Sequence, residues 1–202
     1  MSTPRDLLIA AIDRAASRPL ERGDLSLVLA GAEVIDLLGA EAVGLDGDRI
    51  VPGHAPTMED PLLDEAVSSL VRQPPYESLD DWLWRRGRGL STAYLAALEA
   101  EGELTPQSRS RWVPSATSRM VLADSPARRR AADRWNCDEP VLAALAAAAG
   151  IRDKPTGASP GVPDESISTV LAAVDDALRD LEFQRQRRAL DQAAFDNIWR
   201  GQ

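Results

Sequence analysis

The chain is poor in the residues from which most small enzymes and secreted scaffolds build their chemistry. Its 202 residues include one cysteine, Cys137, and one histidine, His54. A single cysteine excludes an intramolecular disulfide framework and the usual cysteine-cluster metal sites, and it fits a reducing, cytoplasmic setting. His54 stands in a loop of Pro and Gly with no second ligand at helical spacing, so no metal and no cofactor are expected. Cys137 is followed by Asp138 and Glu139, surroundings opposite in sign to those that activate a nucleophilic thiolate. A glycine-rich phosphate loop, a G-x-S-x-G elbow and a dinucleotide fingerprint are all missing. The expectation is therefore a protein with no catalytic residues, one that acts by binding.

Basic residues are also short. There are 23 Lys and Arg against 32 Asp and Glu, a formal charge of −9, which repels a polyanion at long range and argues against nucleic acid as a partner. No stretch approaches the roughly 20 apolar residues needed to span a bilayer. The N-terminal run MSTPRDLLIAAIDRAASRP is interrupted by Asp13 and Arg14 and lacks a small-residue cleavage site. Any membrane contact is expected to be peripheral, on the inner membrane face.

What remains is rich in alanine and leucine. Hydrophobic residues make up 44% and aromatics only 4%, a balance that favours a mainly α chain with one good core. Ser2-Thr3-Pro4 opens a first helix, to about Ala16, with Leu7, Leu8, Ala11 and Ile12 on one face. From Leu25 to about Ala40 a central, buried helix is expected, slim at Ala30-Gly31-Ala32. AVGLDGDRIV then reads as a hairpin turning at Asp46-Gly47. In APTMEDPLLDEA, Asp60 caps and Pro61 begins a helix expected to run to Arg72, where Gln73-Pro74-Pro75 stops it. Asp64 and Glu65 are adjacent on that helix, so their side chains diverge by about 100° and do not converge on one substrate bond.

Ser78 caps a short helix carrying Trp82 and Trp84. The next helix runs from Leu90 to Glu101 and closes at Gly102, with Glu103-Leu104-Thr105 and Arg111-Trp112-Val113 as candidates for a second hairpin. Two helix-then-hairpin units result, the pattern of a winged helix. Asp124-Ser125-Pro126 and Asp138-Glu139-Pro140 each start a further helix, the latter ending at Gly150. The domain organisation expected is a helical core over residues 1–150, a Pro/Gly/Ser-rich linker over 151–166, and a C-terminal helix over 167–202. Ile167, Val170, Leu171, Val174, Leu178 and Leu181 form that helix's stripe, continued by Leu190, Ala194 and Ile198 past the basic segment QRQRR.

The Asp-Gly hairpin, the junction APTMEDPLLDEA, the tryptophan of SLDDWL and the helix end EAEGELT before a second hairpin together resemble the Golgi phosphoprotein 3 family, over roughly residues 6 to 150. The most specific element is Asp60 with Leu62-Leu63-Asp64-Glu65-Ala66. The resemblance is to the many bacterial relatives of the eukaryotic Golgi adaptors. It implies a mainly α, single globular helical domain with two short β-hairpins, of which the second, over 103–122, projects and mediates self-association. For eukaryotic members it implies recognition of phosphatidylinositol 4-phosphate on membranes. The family's lipid-pocket tryptophan and first arginine fall on Glu21 and Ala30 here, and its two further arginines on Arg88 and Ser91.

Read from the residues themselves, Trp82, Trp84, Arg85, Arg86 and Arg88 in DWLWRRGRG suit an anionic surface, guanidiniums forking onto phosphates beside interfacial indoles. The plainer reading is a buried structural Trp82 and a solvated basic turn. The candidate headgroup-binding residues are Arg88, Arg85, Arg86 and Ser91. Arg128-Arg129-Arg130 and Arg185, Arg187, Arg188 read as solvated helix faces. The expected partner is an anionic phospholipid or phosphoinositide surface, together with a second copy of the chain through hairpin 103–122 or the C-terminal helix. Two alternatives stand beside it: a protein-interaction or oligomerisation module without lipid binding, and a winged-helix-like nucleic-acid-binding protein.

Overall fold

The structure, a computed structural model, describes residues 2–14, 21–54, 57–106, 120–152 and 164–200. In chain order its elements are α1 (Thr3–Arg14), α2 (Arg22–Gly39), β1 (Val43–Asp46), β2 (Arg49–Pro52), α3 (Pro61–Ser68), α4 (Leu79–Arg86), α5 (Leu90–Ala100), β3 (Leu104–Pro106), β4 (Met120–Leu122), α6 (Pro126–Asn136), α7 (Pro140–Ala148) and α8 (Glu165–Arg200). The chain is mainly helical with two antiparallel strand pairs, β1–β2 and β3–β4, as the composition and the Asp-Gly signal imply.

The axis of the fold is α2. Every residue from Leu25 to Ile35 is buried, because α1, α4, α5 and α8 all pack against it; a helix apolar on all sides belongs in an interior. Its glycine is a contact point. A Cβ on Gly31 would lie 2.3 Å from Val174 Cγ2 on α8, so only the bare backbone admits α8 at this distance. Around this axis Leu7, Leu8 and Ile9 of α1, Trp82 and Leu83 of α4, Tyr94 and Leu98 of α5, Leu142 and Leu145 of α7, and Val170, Val174 and Ala177 of α8 close one core.

Three helices begin with an acceptor followed by proline, which supplies a cap and a first-turn residue whose missing N–H costs nothing. Asp60 accepts from the Leu62 N–H, Ser125 from Arg128, and Glu139 from Val141 and Leu142. Ser78 starts α4 differently, accepting from the Asp81 N–H and donating its own proton to the Asp81 carboxylate.

Several boundaries differ from the sequence-based expectation. The first hairpin pairs Asp46 with Arg49, so its loop is Gly47-Asp48 and Gly47 carries the positive φ of 61°, one residue later than the Asp-Gly reading. Helix α3 stops at Ser68 instead of reaching Arg72. There the Ser69 hydroxyl donates to the Ala66 carbonyl, a side-chain bond that competes with the next helical turn. Strand β3 pairs with Met120–Leu122; Arg111-Trp112-Val113, expected to take part in this hairpin, lies outside the described residues, as do the rest of 107–119 and 153–163. The first half of α8 is buried in the same core as α2, through Val170, Val174 and Ala177. No helix among the described residues is long and apolar enough to cross a membrane.

Candidate functional site

The acidic junction that opens α3 is structural. Asp60 is buried and ties the start of α1 to the start of α3: besides capping Leu62 it accepts from the Ser2 hydroxyl at 2.6 Å and from Arg5 Nε at 2.6 Å. Burial alone pushes its carboxyl up, but the hydrogen bonds from Arg5 and Ser2 outweigh it and hold the group below the ordinary aspartate value. Arg5 also reaches Glu101, and the two pairs keep its guanidinium charged despite the burial. Asp64 accepts from the Met58 N–H, and Glu65 binds Arg86. His54 is exposed, and no group of metal-ligating side chains occurs among the described residues. A cleft of about 310 Å³ borders Asp60, with Arg5, Glu101, Glu103 and Arg130 in its wall. Arg5 already pairs with two of its carboxylates.

The four candidate headgroup residues do not form one pocket. Arg86 is taken into the body: its side chain is 9% exposed, donates Nε and Nη2 to the Glu33 carboxylate at 2.8 and 3.0 Å, and binds Glu65 at 3.0 Å and the Leu62 carbonyl at 2.8 Å. Arg85 makes a bidentate pair with Glu77, at 2.6 and 2.7 Å, and lies over the Trp82 ring. Ser91 is 1% exposed. Its N–H donates to Ser26 Oγ, its oxygen accepts from the Ser26 hydroxyl, and its own proton goes to the Arg22 carbonyl, which stitches α5 to the start of α2. Arg88 is exposed and, unlike Arg85 and Arg86, has no acidic partner among the described residues.

Of the aromatic pair, Trp82 is wholly buried, its indole N–H on the Ala30 carbonyl at 3.3 Å, in keeping with the structural reading of that ring. Trp84 is half-buried and donates to Asp80. Neither indole stands at an open interface.

A residue the sequence reading passed over organises this region. Glu33 is 0% exposed, and accepts from Arg86 and from the Tyr94 hydroxyl, the latter at 3.0 Å. Burial pushes its carboxyl up, opposed by the hydrogen bonds and charge of Arg86 and by the bond from Tyr94. The signal was legible: a lone acid inside LAGAEVIDLL has to find a cation, since charged side chains are almost never fully buried unpaired. What was not legible is that Arg86, rather than Arg85 or Arg88, would answer it.

Ser91 ties the start of α5 to the start of α2 through Ser26 and the Arg22 carbonyl. Arg88 lies in the turn into α5, and Glu21 and Arg22 stand exposed at the start of α2. Ala30 is buried in the middle of α2 and cannot face a ligand. The C-terminal helix closes one side of this corner, Arg185 Nη1 meeting Asp24 at 2.8 Å and Leu181 lying against Gly23. A sequence model of the family described as Golgi phosphoprotein 3 (GPP34) matches the chain over residues 4–192.

The chain belongs to the Golgi phosphoprotein 3 family.

The match takes in nearly the whole chain and includes most of α8, so the C-terminal helix is part of the family's unit and the likeness extends beyond residue 150. No curated protein matches the chain.

Proposed function

We propose that this protein is a non-enzymatic adaptor that docks peripherally on an anionic membrane surface, through the corner where α2 begins and α4 turns into α5. The observation that carries this reading is the exposed, unpaired state of Arg88, in a segment whose neighbours Arg85 and Arg86 are both held by carboxylates. Arg22 adds a second exposed cation at the same corner, brought there by the Ser91 hydroxyl on its carbonyl. Anionic lipids attract a basic residue near the surface by about 1 kcal/mol, so two arginines support weak, salt-sensitive docking, and Glu21 and Asp24 moderate it. A phosphoinositide headgroup is the preferred occupant, because two forked guanidiniums suit a phosphate monoester better than a diester backbone.

The nucleic-acid alternative is not favoured. The helix before the first hairpin, α2, is buried along its length and cannot enter a groove, as a recognition helix must.

Vesicle co-sedimentation tests the proposal, comparing phosphatidylcholine alone, added phosphatidylserine, and added phosphatidylinositol 4-phosphate. The perturbation is Arg88→Glu with Arg22→Ala, which leaves the Arg86–Glu33 pair intact. Binding that rises with anionic lipid and falls severalfold in the variant supports the reading. Equally negligible binding of the wild type to all three vesicles refutes it and leaves a protein-interaction role.

A further inference from the structure

The cleft beside Asp60 brings together two side chains of opposite charge that the fold leaves unanswered. It opens where the starts of α1 and α3, the end of α5 and the second turn of α6 meet, with a volume of about 310 Å³. Most charges in its wall are spent on one another: Arg5 holds Asp60 and Glu101, and Arg134 holds Asp6 at 2.7 Å. Of the three successive arginines on α6, Arg128 is taken by Asp13 and Arg129 by Asp124. Arg130, the one in the cleft wall, is exposed and has no acidic partner among the described residues.

Glu103 is its counterpart. The backbone here is fixed on both sides: the Glu103 N–H donates to the Leu98 carbonyl at 2.9 Å, and the Glu103 carbonyl accepts from the Ala123 N–H at 2.8 Å. The side chain thus projects into the cleft wall from an anchored point. Its Oε2 is shut off from solvent and has no hydrogen-bond donor on it among the described residues. Buried acceptors in folded proteins are nearly always satisfied, so an orphaned one beside a cleft marks a place where a donor from outside fits.

We propose that this cleft binds a small zwitterion, an α-amino acid with an aliphatic side chain. Its ammonium donates to Glu103, its carboxylate receives the fork of Arg130, and its side chain lies on the apolar part of the wall, from Ile9, Leu98 and Ala127. Size and charge select this class. The cleft is at the small end of ligand sites, with room for an amino acid and not for a helix or a nucleotide. An anion alone answers Arg130 but is repelled by a wall in which carboxylates outnumber guanidiniums. A cation alone answers Glu103 and leaves Arg130 without an acceptor. A molecule that carries both charges satisfies both groups. The inference is independent of the membrane reading, whose residues lie at the start of α2 and in the turn between α4 and α5.

A nuclear magnetic resonance shift titration of the full chain, without vesicles, tests it. The probe is leucine, and the controls are leucine methyl ester, which keeps only the ammonium, and N-acetylleucine, which keeps only the carboxylate. Leucine is expected to bind, and each control to bind about tenfold more weakly or worse, the loss expected for one charged hydrogen bond. Glu103→Gln and Arg130→Gln each remove one of the two charges and are expected to weaken leucine by about the same factor. Arg129→Gln, one residue away but paired with Asp124, is expected to leave leucine binding unchanged. Thermal melting followed by circular dichroism establishes that the variants are folded, and the two control ligands test the proposal on the wild type without any variant. A wild type that does not bind leucine overturns the proposal. So does a singly charged control that binds as well as leucine, or leucine binding that is unchanged in either cleft variant.

Discussion

Replacing Gly31 by alanine tests the central contact of the fold. In an exposed helix that change stabilises by about 1 kcal/mol, because glycine is the poorer helix former. At Gly31 the new Cβ would stand 2.3 Å from Val174 Cγ2, about 1.5 Å inside an ordinary carbon–carbon contact. Val174 has little freedom to give way: it is wholly buried, and a helical valine is confined almost entirely to one rotamer. Helix α8 must therefore shift off α2, and overpacking of this kind costs about 1–3 kcal/mol. Net of the propensity gain, Gly31→Ala is expected to destabilise by up to about 2 kcal/mol, with the melting temperature falling about 2–4 °C for each kcal/mol in a chain of this size. Val174→Ala alone removes buried methyl groups and is expected to cost about 2 kcal/mol. Combined, the two fit together, since the alanine at 31 occupies the space the valine leaves. The double variant is expected to be at least about 1 kcal/mol more stable than the sum of the single effects. Urea unfolding of the four proteins measures this cycle. A melting temperature raised by Gly31→Ala, or single effects that add within error, would show that α8 does not rest on Gly31, and the docking of the C-terminal helix would have to be abandoned.

Two further predictions probe the charges inside the fold. Arg86→Met leaves the Glu33 carboxylate buried without its cation and is expected to cost about 3–5 kcal/mol, whereas Glu33→Met with Arg86→Met together is expected to recover most of that, apolar replacements of buried pairs being near neutral or better; additive single effects in urea unfolding would contradict the pairing. Asp60→Asn keeps the helix cap but loses the charge that Arg5 and Ser2 bind, at a cost of about 2 kcal/mol at neutral pH. The folded-state value of Asp60 is depressed below its ordinary 3.8, so the contribution is present above that pH and lost as pH falls through the folded value. The stability gap between wild type and Asp60→Asn is therefore expected to close in acid below about pH 4, and a gap that stays flat from neutral pH to pH 2 would count against the ion pair.

Much of the fold was readable because its signals are local. An acceptor followed by proline announces a helix start wherever it occurs, and Asp60-Pro61, Ser125-Pro126 and Glu139-Pro140 all did so. The Asp-Gly pair announced a hairpin, although which of its residues takes the positive φ depended on strand register. The end of α3 was less legible, since one serine hydroxyl decided it. Among the candidate binding residues, Arg85, Arg86 and Arg88 are indistinguishable in DWLWRRGRG. They separate only when α4 is laid on α2: Arg86 then faces Glu33, Arg85 faces Glu77, and Arg88 is left in the turn. Ser91 looked like a polar lining residue and proved to be a buried link to Ser26 and Arg22.

By itself the sequence determined the helical class, the two helix–hairpin units, the absence of the common catalytic motifs and, through the junction at Asp60, the Golgi phosphoprotein 3 likeness. These follow from period, capping and composition, which act over a few residues at a time. The tertiary structure alone decided which charges are internal and which are exposed, and that α8 joins the core by one face and leaves Phe183 and Leu190 exposed on the other. The reason is physical. A carboxylate buried in α2 selects its cation by distance across the packed helices, and a glycine admits a neighbour only where the backbones meet, and neither distance is written in the order of residues.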